Sequence, residues 1–453
     1  MPYEDEKIIA ETPKEIHELL EKIGKTELLS EMIMLALELA KQIAVKAVET
    51  ALAKRAQARC NWPQCPQCGA QIGNKDRQPR QIKSLIGVIH WRRKVGRCPN
   101  GCEIGQVVPL DQELGIAPDQ HVSTELQHAA CALAVFVPYG IAAVLLALLT
   151  KIQVSPASIW SWVQACGEQA KQQLAAELAA MHQGHDPEPE PLPPAVAALT
   201  MVIGGDGVFV PFRPTAGSRA GTTQFQEVKV GIIARLKQFM NRQGREVLKI
   251  QHKRVVAVLG NIDQLAERLR LEALKQGIRH APTVVWISDG ARGLWRIYRD
   301  TLSRWAVGIL DFYHAAQHLW QTASAWLDGR TTQAKTWFTQ QRHQLRHGDP
   351  AAVIHGIQQA LQPEDLSAAA RTSLENLVAY LAAHEQHLDY AYCKALGLPI
   401  GSGMVESACK WLIQQRFKCV GMRWSEPGFD NLLHLRLAWV NGRFHQLFSI
   451  TPP

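Results

Sequence analysis

The chain has 453 residues, 47% of them hydrophobic and 20% charged. That composition excludes a disordered or collagen-like chain and leaves room for two to four separate cores. With 49 Lys+Arg against 41 Asp+Glu the formal charge is +8, which favours an anionic partner, nucleic acid first.

The amino end, MPYEDEKIIAETPKE, is acidic and has no apolar centre, so it does not read as a secretory signal and a cytoplasmic location is expected. Residues 5 to about 56 read as two helices, with no breaker until Asn61-Trp62-Pro63. A cysteine-rich stretch follows. Cys65 and Cys68 lie in C-x2-C, and Cys98 and Cys102 in C-x3-C. Two such knuckles can offer four thiolates to one tetrahedral zinc, with an alternating hairpin between them; Cys60 is a possible substitute ligand. The intervening residues, Arg92, Arg93 and Lys94 among them, are strongly basic and suit phosphate contact, although a solvated hairpin fits equally. Cys131, Cys166, Cys393, Cys409 and Cys419 sit singly in helical patterns and read as buried small side chains.

Ala129 to Leu149 carries no charge and has the length of a membrane span. Pro138-Tyr139-Gly140 divides it, so two buried helices and no membrane are expected. Ser155 and Pro156 then cap a further helix. Ser158, Ser161 or Gln164 on that helix could reach base edges as in a helix-turn-helix; an ordinary αα-hairpin fits the same pattern. HDPEPEPLPP reads as a stiff, extended linker.

Beyond it TMVIGGDGVFVPF, EVKVGIIARL and HKRVVAVLG read as three antiparallel strands. An Asn-capped helix over NIDQLAERLRLEALKQG follows, then two more strands, TVVWIS and WAVGIL. Ala315 to Leu396 is helical, broken at DGRTT, HGDP and QPED, and SGMVESACKWLIQQRFK is a closing helix. This order is that of an α/β, ribonuclease H-like core with an all-α insertion, preceded by helical and zinc-ribbon DNA-binding domains. The boundaries expected are a helical segment over 1–56, a zinc ribbon over 57–110, a helix-turn-helix-like stretch over 111–181 and a linker over 182–197. The core runs over 198–314, the insertion over 315–396, and the closing helix with a basic C-terminal segment over 397–453.

Three acids fall at element ends of such a core: Asp206 in the first strand, Asp289 at the tip of the fourth, and Glu406 in the first turn of the closing helix. Carboxylates so gathered need divalent cations between them, which is the two-metal arrangement for phosphoryl transfer. Singly, each has an ordinary explanation: a turn, a helix cap, and a first-turn acid pairing with Lys410. Asp311 and His314 form a further D-x-x-H pair.

CPQC…CPNGC, PLDQELGI, GGDGVFVPF, ISDGARGLW, ILDFYHAAQHL, SGMVES and GMRWSEPG together resemble a bacterial insertion-sequence transposase of the ISKra type, related to the Mutator-like DDE transposases. The resemblance runs from about Cys65 to the C-terminus. It implies a DDE triad of Asp206, Asp289 and Glu406 holding two Mg²⁺ (or Mn²⁺) ions, with Asp206 bridging them, and a structural Zn²⁺ in the ribbon. It also implies that Asp311 and His314 are the accessory motif; His314 is expected to position the scissile phosphate or a base near it. The expected activity is cleavage of double-stranded transposon ends and strand transfer to target DNA, by a homodimer or higher oligomer near the bacterial nucleoid. Arg416, Lys418, Arg423 and Trp424 are expected to grip the DNA, with a core role for Trp424 as the alternative. Two rivals remain on the same residues: a nuclease that cuts without joining, and a catalytically silent DNA-binding protein.

Overall fold

The computed structural model describes residues 14–448 except 215, 216, 218–220 and 245. The expected helical character of residues 5–13 lies outside the described residues. The chain divides into two compact units, 1–162 with 448–453, and 163–447.

In the first unit, helices α1 (Lys14–Lys25) and α2 (Leu29–Gln57) are followed by an antiparallel hairpin, β1 (Gly73–Lys83) and β2 (Val88–Arg97). Ala56, Ile82, Trp91 and Leu110 form one small core, and Cys65, Ile72 and Cys98 form another with Trp62, Ile104 and Val107 against it. The uncharged stretch becomes α3 (Thr124–Phe136) and α4 (Tyr139–Thr150), parted at Val137-Pro138. No helix among the described residues is long and apolar enough to cross a membrane. The expectation that both helices are buried fails for α4. Its Ala142 and Leu146 face inward, but Ile141, Val144 and Leu148 are exposed. Helix α5 (Pro156–His182) begins in this unit and continues into the second.

The second unit is built on a five-stranded sheet of order β5-β4-β3-β6-β7. Strands β3 (Thr200–Phe212), β4 (Gln224–Met240) and β5 (Glu246–Leu259) run antiparallel. Strands β6 (Val284–Ser288) and β7 (Val307–Leu310) join β3 in parallel. The connection from β5 to β6 carries α6 (Ile262–Lys275), whose Asn261 and Gln264 make a reciprocal capping box. Strand β6 lies between β3 and β7 and is buried at every residue, as its unbroken apolar run requires. After β7 come α7 (Phe312–Leu327), α8 (Thr332–His347), α9 (Pro350–Ala360) and α10 (Ala368–Ala382), and then a short helix over Tyr390–Ala395. Helix α11 (Gly403–Ala408) then packs across β3 and β4 and runs on through a π-helical turn, Cys409–Gln414. Helix α12 (Glu426–Val440) packs on β5.

The proline-rich stretch expected to be a stiff, extended linker has no helix or strand over residues 185–193 and is tied into the second unit, of which it is part. The Glu190 amide donates to Lys275 O at 2.7 Å, and its carboxylate takes Arg254 Nη2 at 2.9 Å, Arg443 Nε at 2.9 Å and Gln276 Nε2 at 3.0 Å. Burial works against that carboxylate, but Gln276, Arg443 and Arg254 outweigh it and bring its pKa down to about 2. The stabilisation is therefore full above the ordinary Glu range and fades as pH falls toward 2. Glu190→Ala should cost about 2–3 kcal/mol near neutrality and speed proteolysis of residues 183–193. A midpoint in urea unchanged from wild type would contradict this.

Candidate functional site

Strand register sets the geometry. Gly204 lies opposite Ile287 in the parallel pair β3–β6, so continuing the ladder by two residues brings Asp206 level with Asp289. Ser288 lies opposite Leu310 in β6–β7, so the next residue brings Asp289 level with Asp311. Residues level on parallel strands point to one face, so the three acids form a row running from the middle of β3 across the carboxyl ends of β6 and β7. Helix α11 covers that face. It can come this close because Gly204 has no side chain: a Cβ there would lie 2.6 Å from Val405 Cγ2 and 2.5 Å from Ile287 O. Glu406, the residue after Val405, is thereby carried over the row.

The acids differ in environment. Asp311 is 1% exposed. Its Oδ1 accepts the Tyr313 amide at 2.6 Å and the His314 amide at 3.3 Å; its Oδ2 accepts the Ser402 amide at 2.8 Å and the Ser402 hydroxyl. His314 Nδ1 lies 3.3 Å from the same Oδ2, at ion-pair distance but out of line for a hydrogen bond. Although burial pushes upward, these donors hold the Asp311 carboxyl at about 2. In return the Asp311 pairing, against burial, holds the His314 imidazole above its usual range, with Asp289 and Glu406 adding to the effect. Asp311 thus ties the start of α7 to Ser402, the N-cap residue of α11. Ser402 spends its hydroxyl on Asp311 and makes no cap of its own.

Asp206 is half-buried, and its carboxyl is raised, first by burial and then by Asp289 and Glu406; the Gly207 amide at 2.7 Å and His314 pull the other way. Asp289 accepts the Ala291 amide at 3.1 Å, and Glu406 is exposed. Among the described residues no ion pair joins Glu406 to Lys410. Asp206, Asp289 and Glu406 therefore face one another electrostatically, but the tightest set differs from the one expected. Asp311, His314 and Glu406 bring ligand atoms within 4.8 Å of one another. A cleft of about 300 Å³ opens beside Asp206 and Asp289, lined also by Gly207, Glu227 and Lys229.

Two neighbours were not singled out from sequence. Cys409, read as a plain buried thiol, lies near Asp206; burial first, and then that carboxylate, push it up to about 12. Its place one turn beyond Glu406 was the available signal. Tyr380 of α10 presses on the turn after Asp289, where a Cβ on Gly290 would lie 2.1 Å from Tyr380 Cε2. The insertion thus braces the Asp289 turn, and His318 of α7 stacks on Tyr380 at 4.2 Å. Gly290→Ala should lower stability by about 1–3 kcal/mol through this overlap, and adding Tyr380→Ala should recover part of it. A loss that Tyr380→Ala leaves untouched would place the cause elsewhere.

In the first unit Cys65, Cys68, Cys98 and Cys102 bring their sulfurs within 4.8 Å of one another. Zn–S bonds of about 2.3 Å place tetrahedral thiolates about 3.8 Å apart, so the four fit zinc. Against burial, the amides of Cys102 and Asn100 bring Cys98 down to about 6, while shared hydrogen bonds with Cys68 and Cys98 push Cys102 up to about 12. Cys60 stands outside the set, its Sγ directed at Ala58 O.

The expected DNA-facing residues divide. Arg92, Lys418 and Arg423 are exposed. Arg93 is not available: it is buried and ion-paired with buried Asp111. Lys94 donates to Gln57 O at 3.3 Å and Ala58 O at 2.7 Å. Arg416, 1% exposed, is also withdrawn, stacked 5.4 Å from the Trp424 ring. Trp424 takes the structural alternative, bonding Phe417 O through Nε1 at 3.0 Å and joining β3 through Pro211 and Arg213. Gln164 is engaged by Asn431 at 3.0 Å rather than free for a base edge. Cys131, Cys166, Cys393 and Cys409 are buried as expected, but Cys419 is exposed.

No protein-family model matches the chain, and no curated protein does. Among solved structures it is similar to the Drosophila P element transposase strand transfer complex, at 11% identity over 75% of this chain and 83% of that one. The TM-score is 0.23, a likeness too slight to decide fold or function.

Proposed function

We propose that this chain is a DDE-type DNA transposase whose second unit is a ribonuclease H-like core with an all-α insertion. The strand order β5-β4-β3-β6-β7, with three antiparallel strands followed by two parallel ones, supports the fold reading. The observation that carries the catalytic reading is the register that sets Asp206 level with Asp289 while α11 delivers Glu406 over the same row.

Hard carboxylate oxygens that raise one another's affinity for positive charge suit magnesium. Asp206, Asp289 and Glu406 would hold two such ions, which when bound supply an activated water and stabilise attacking and leaving oxygens of a DNA phosphate. The chain's own residues do the rest. Asp311 fixes His314 and the start of α11 in one geometry. His314, held toward its protonated form and half-exposed, can meet a phosphate oxygen of the bound strand. The thiolates of Cys65, Cys68, Cys98 and Cys102 would hold a structural zinc, and exposed Arg92, Lys418 and Arg423 are proposed to meet DNA phosphates.

The test is a labelled duplex made from the DNA that flanks the gene, with any inverted repeats found there, incubated with Mg²⁺ or Mn²⁺. Cleavage at the repeat ends followed by joining to a second duplex is expected. Cleavage without joining would leave a nuclease, and no metal-dependent cleavage would sink the reading.

A further inference from the structure

Strands β4 and β5 run past the sheet. Strand β3 pairs with β4 only as far as Leu236, yet β4 and β5 stay paired out to Met240 and Glu246. The residues beyond Leu236 form a two-stranded ribbon projecting by roughly 13–17 Å at about 3.3 Å per residue. On one side Gln238 donates to Gly397 O at 3.3 Å, which seats that face on the unit's own chain. The opposite face is open. Cross-strand pairing of Lys237 with Lys249 and of Phe239 with Val247 puts these four on it together.

Their chemistry is distinctive. The Nζ atoms of Lys237 and Lys249, one from each strand, lie 5.3 and 5.8 Å from the Phe239 ring centre. Among the described residues no carboxylate pairs with either lysine. From Lys237 to Lys249 the sequence carries four basic residues, Lys237, Arg242, Arg245 and Lys249, against one acid, Glu246. Two ammonium groups converging on one ring repel each other until an anion settles between them.

We infer that this ribbon is a DNA-gripping arm, whose Lys237 and Lys249 clamp phosphates of a duplex while Phe239 packs on the adjoining sugar or base edge. A two-stranded ribbon has the width of a DNA major groove, and the charge of the arm complements the backbone. An acidic protein surface is the competing occupant. The arm lies outside the acid cleft, and its role rests on the DNA-acting reading above.

The experiment measures the affinity of the full chain for a labelled duplex between about 50 and 200 mM salt, without divalent metal. The Lys237→Gln/Lys249→Gln variant should bind several-fold more weakly across unrelated sequences, and its slope of log affinity against log salt should be shallower by about 2. Lys237→Glu/Lys249→Glu should weaken binding further, with an unchanged circular dichroism spectrum. A slope equal to wild type in both variants overturns the arm and leaves the face to a protein partner. Because this readout needs no metal, an intact slope with active cleavage rejects the arm alone. Normal arm behaviour without cleavage rejects the transposase reading alone.

Discussion

Asp289→Asn is expected to lower Mg²⁺-dependent cleavage of the repeat ends on the order of 10³-fold while leaving fold and DNA affinity at wild-type levels. The choice of residue matters. Asp289 accepts one backbone bond, from the Ala291 amide, and an Asn carbonyl oxygen can accept the same bond, so the turn into the next helix survives. What disappears is one negative charge from a row in which Asp206 already has its carboxyl raised by burial and by the Asp289 and Glu406 charges. Asp311→Asn would be a poor substitute test. Its two oxygens receive the Tyr313, His314 and Ser402 amides and the Ser402 hydroxyl, and an amide nitrogen would face a donor with a donor. Loss of activity there would report a displaced α11, not lost chemistry. The decisive comparison is single-turnover cleavage alongside binding of the same duplex. Cleavage by Asp289→Asn within about tenfold of wild type, a loss smaller than that of removing one transition-state charge contact, would take Asp289 out of the chemistry.

Much of this site was legible because it depends on local signals. Val284 to Ile287 is an apolar run ending at Asp289-Gly290, and a strand buried on both faces with an acid at its tip follows from that pattern alone. Asn261 announced its helix cap in the same way, while the reciprocal bond from Gln264 was not read. What stayed hidden depends on pairing and packing between distant segments. Nothing local to Arg416 or Arg93 says that one lies beneath Trp424 and the other on Asp111, since a buried arginine and a DNA-gripping one share composition and neighbours. The proline-rich stretch had the composition of a spacer, but Glu190 meets Arg254 and Arg443, far away in sequence. The grouping of Asp311, His314 and Glu406 needed the register of β7 and the hydroxyl of Ser402, neither of which periodicity reveals.

Stripping zinc should unfold the cysteine knuckles, and one thiol makes the test sharp. The apolar support around them is small, being Ile72 with Trp62, Ile104 and Val107 beside the cysteines themselves. A cluster of that size does not hold two tight turns without a cross-link, so on the zinc reading metal binding and local folding would be one event. Cys68 is exposed, as is Cys419 on the second unit. Exposure alone would let both react with a maleimide at similar rates. With zinc bound, Cys68 is a ligand and should be protected together with Cys65, Cys98 and Cys102, while Cys419 reacts at once. Chelation should release all four thiols, and Cys98→Ser should expose the remaining three, Cys65, Cys68 and Cys102, without chelator. The purified chain should carry one zinc per molecule, lost in that variant. Rapid labelling of Cys68 in metal-replete protein, or a zinc content near zero, would remove the ribbon's metal and leave the four sulfurs as a crowded thiol cluster.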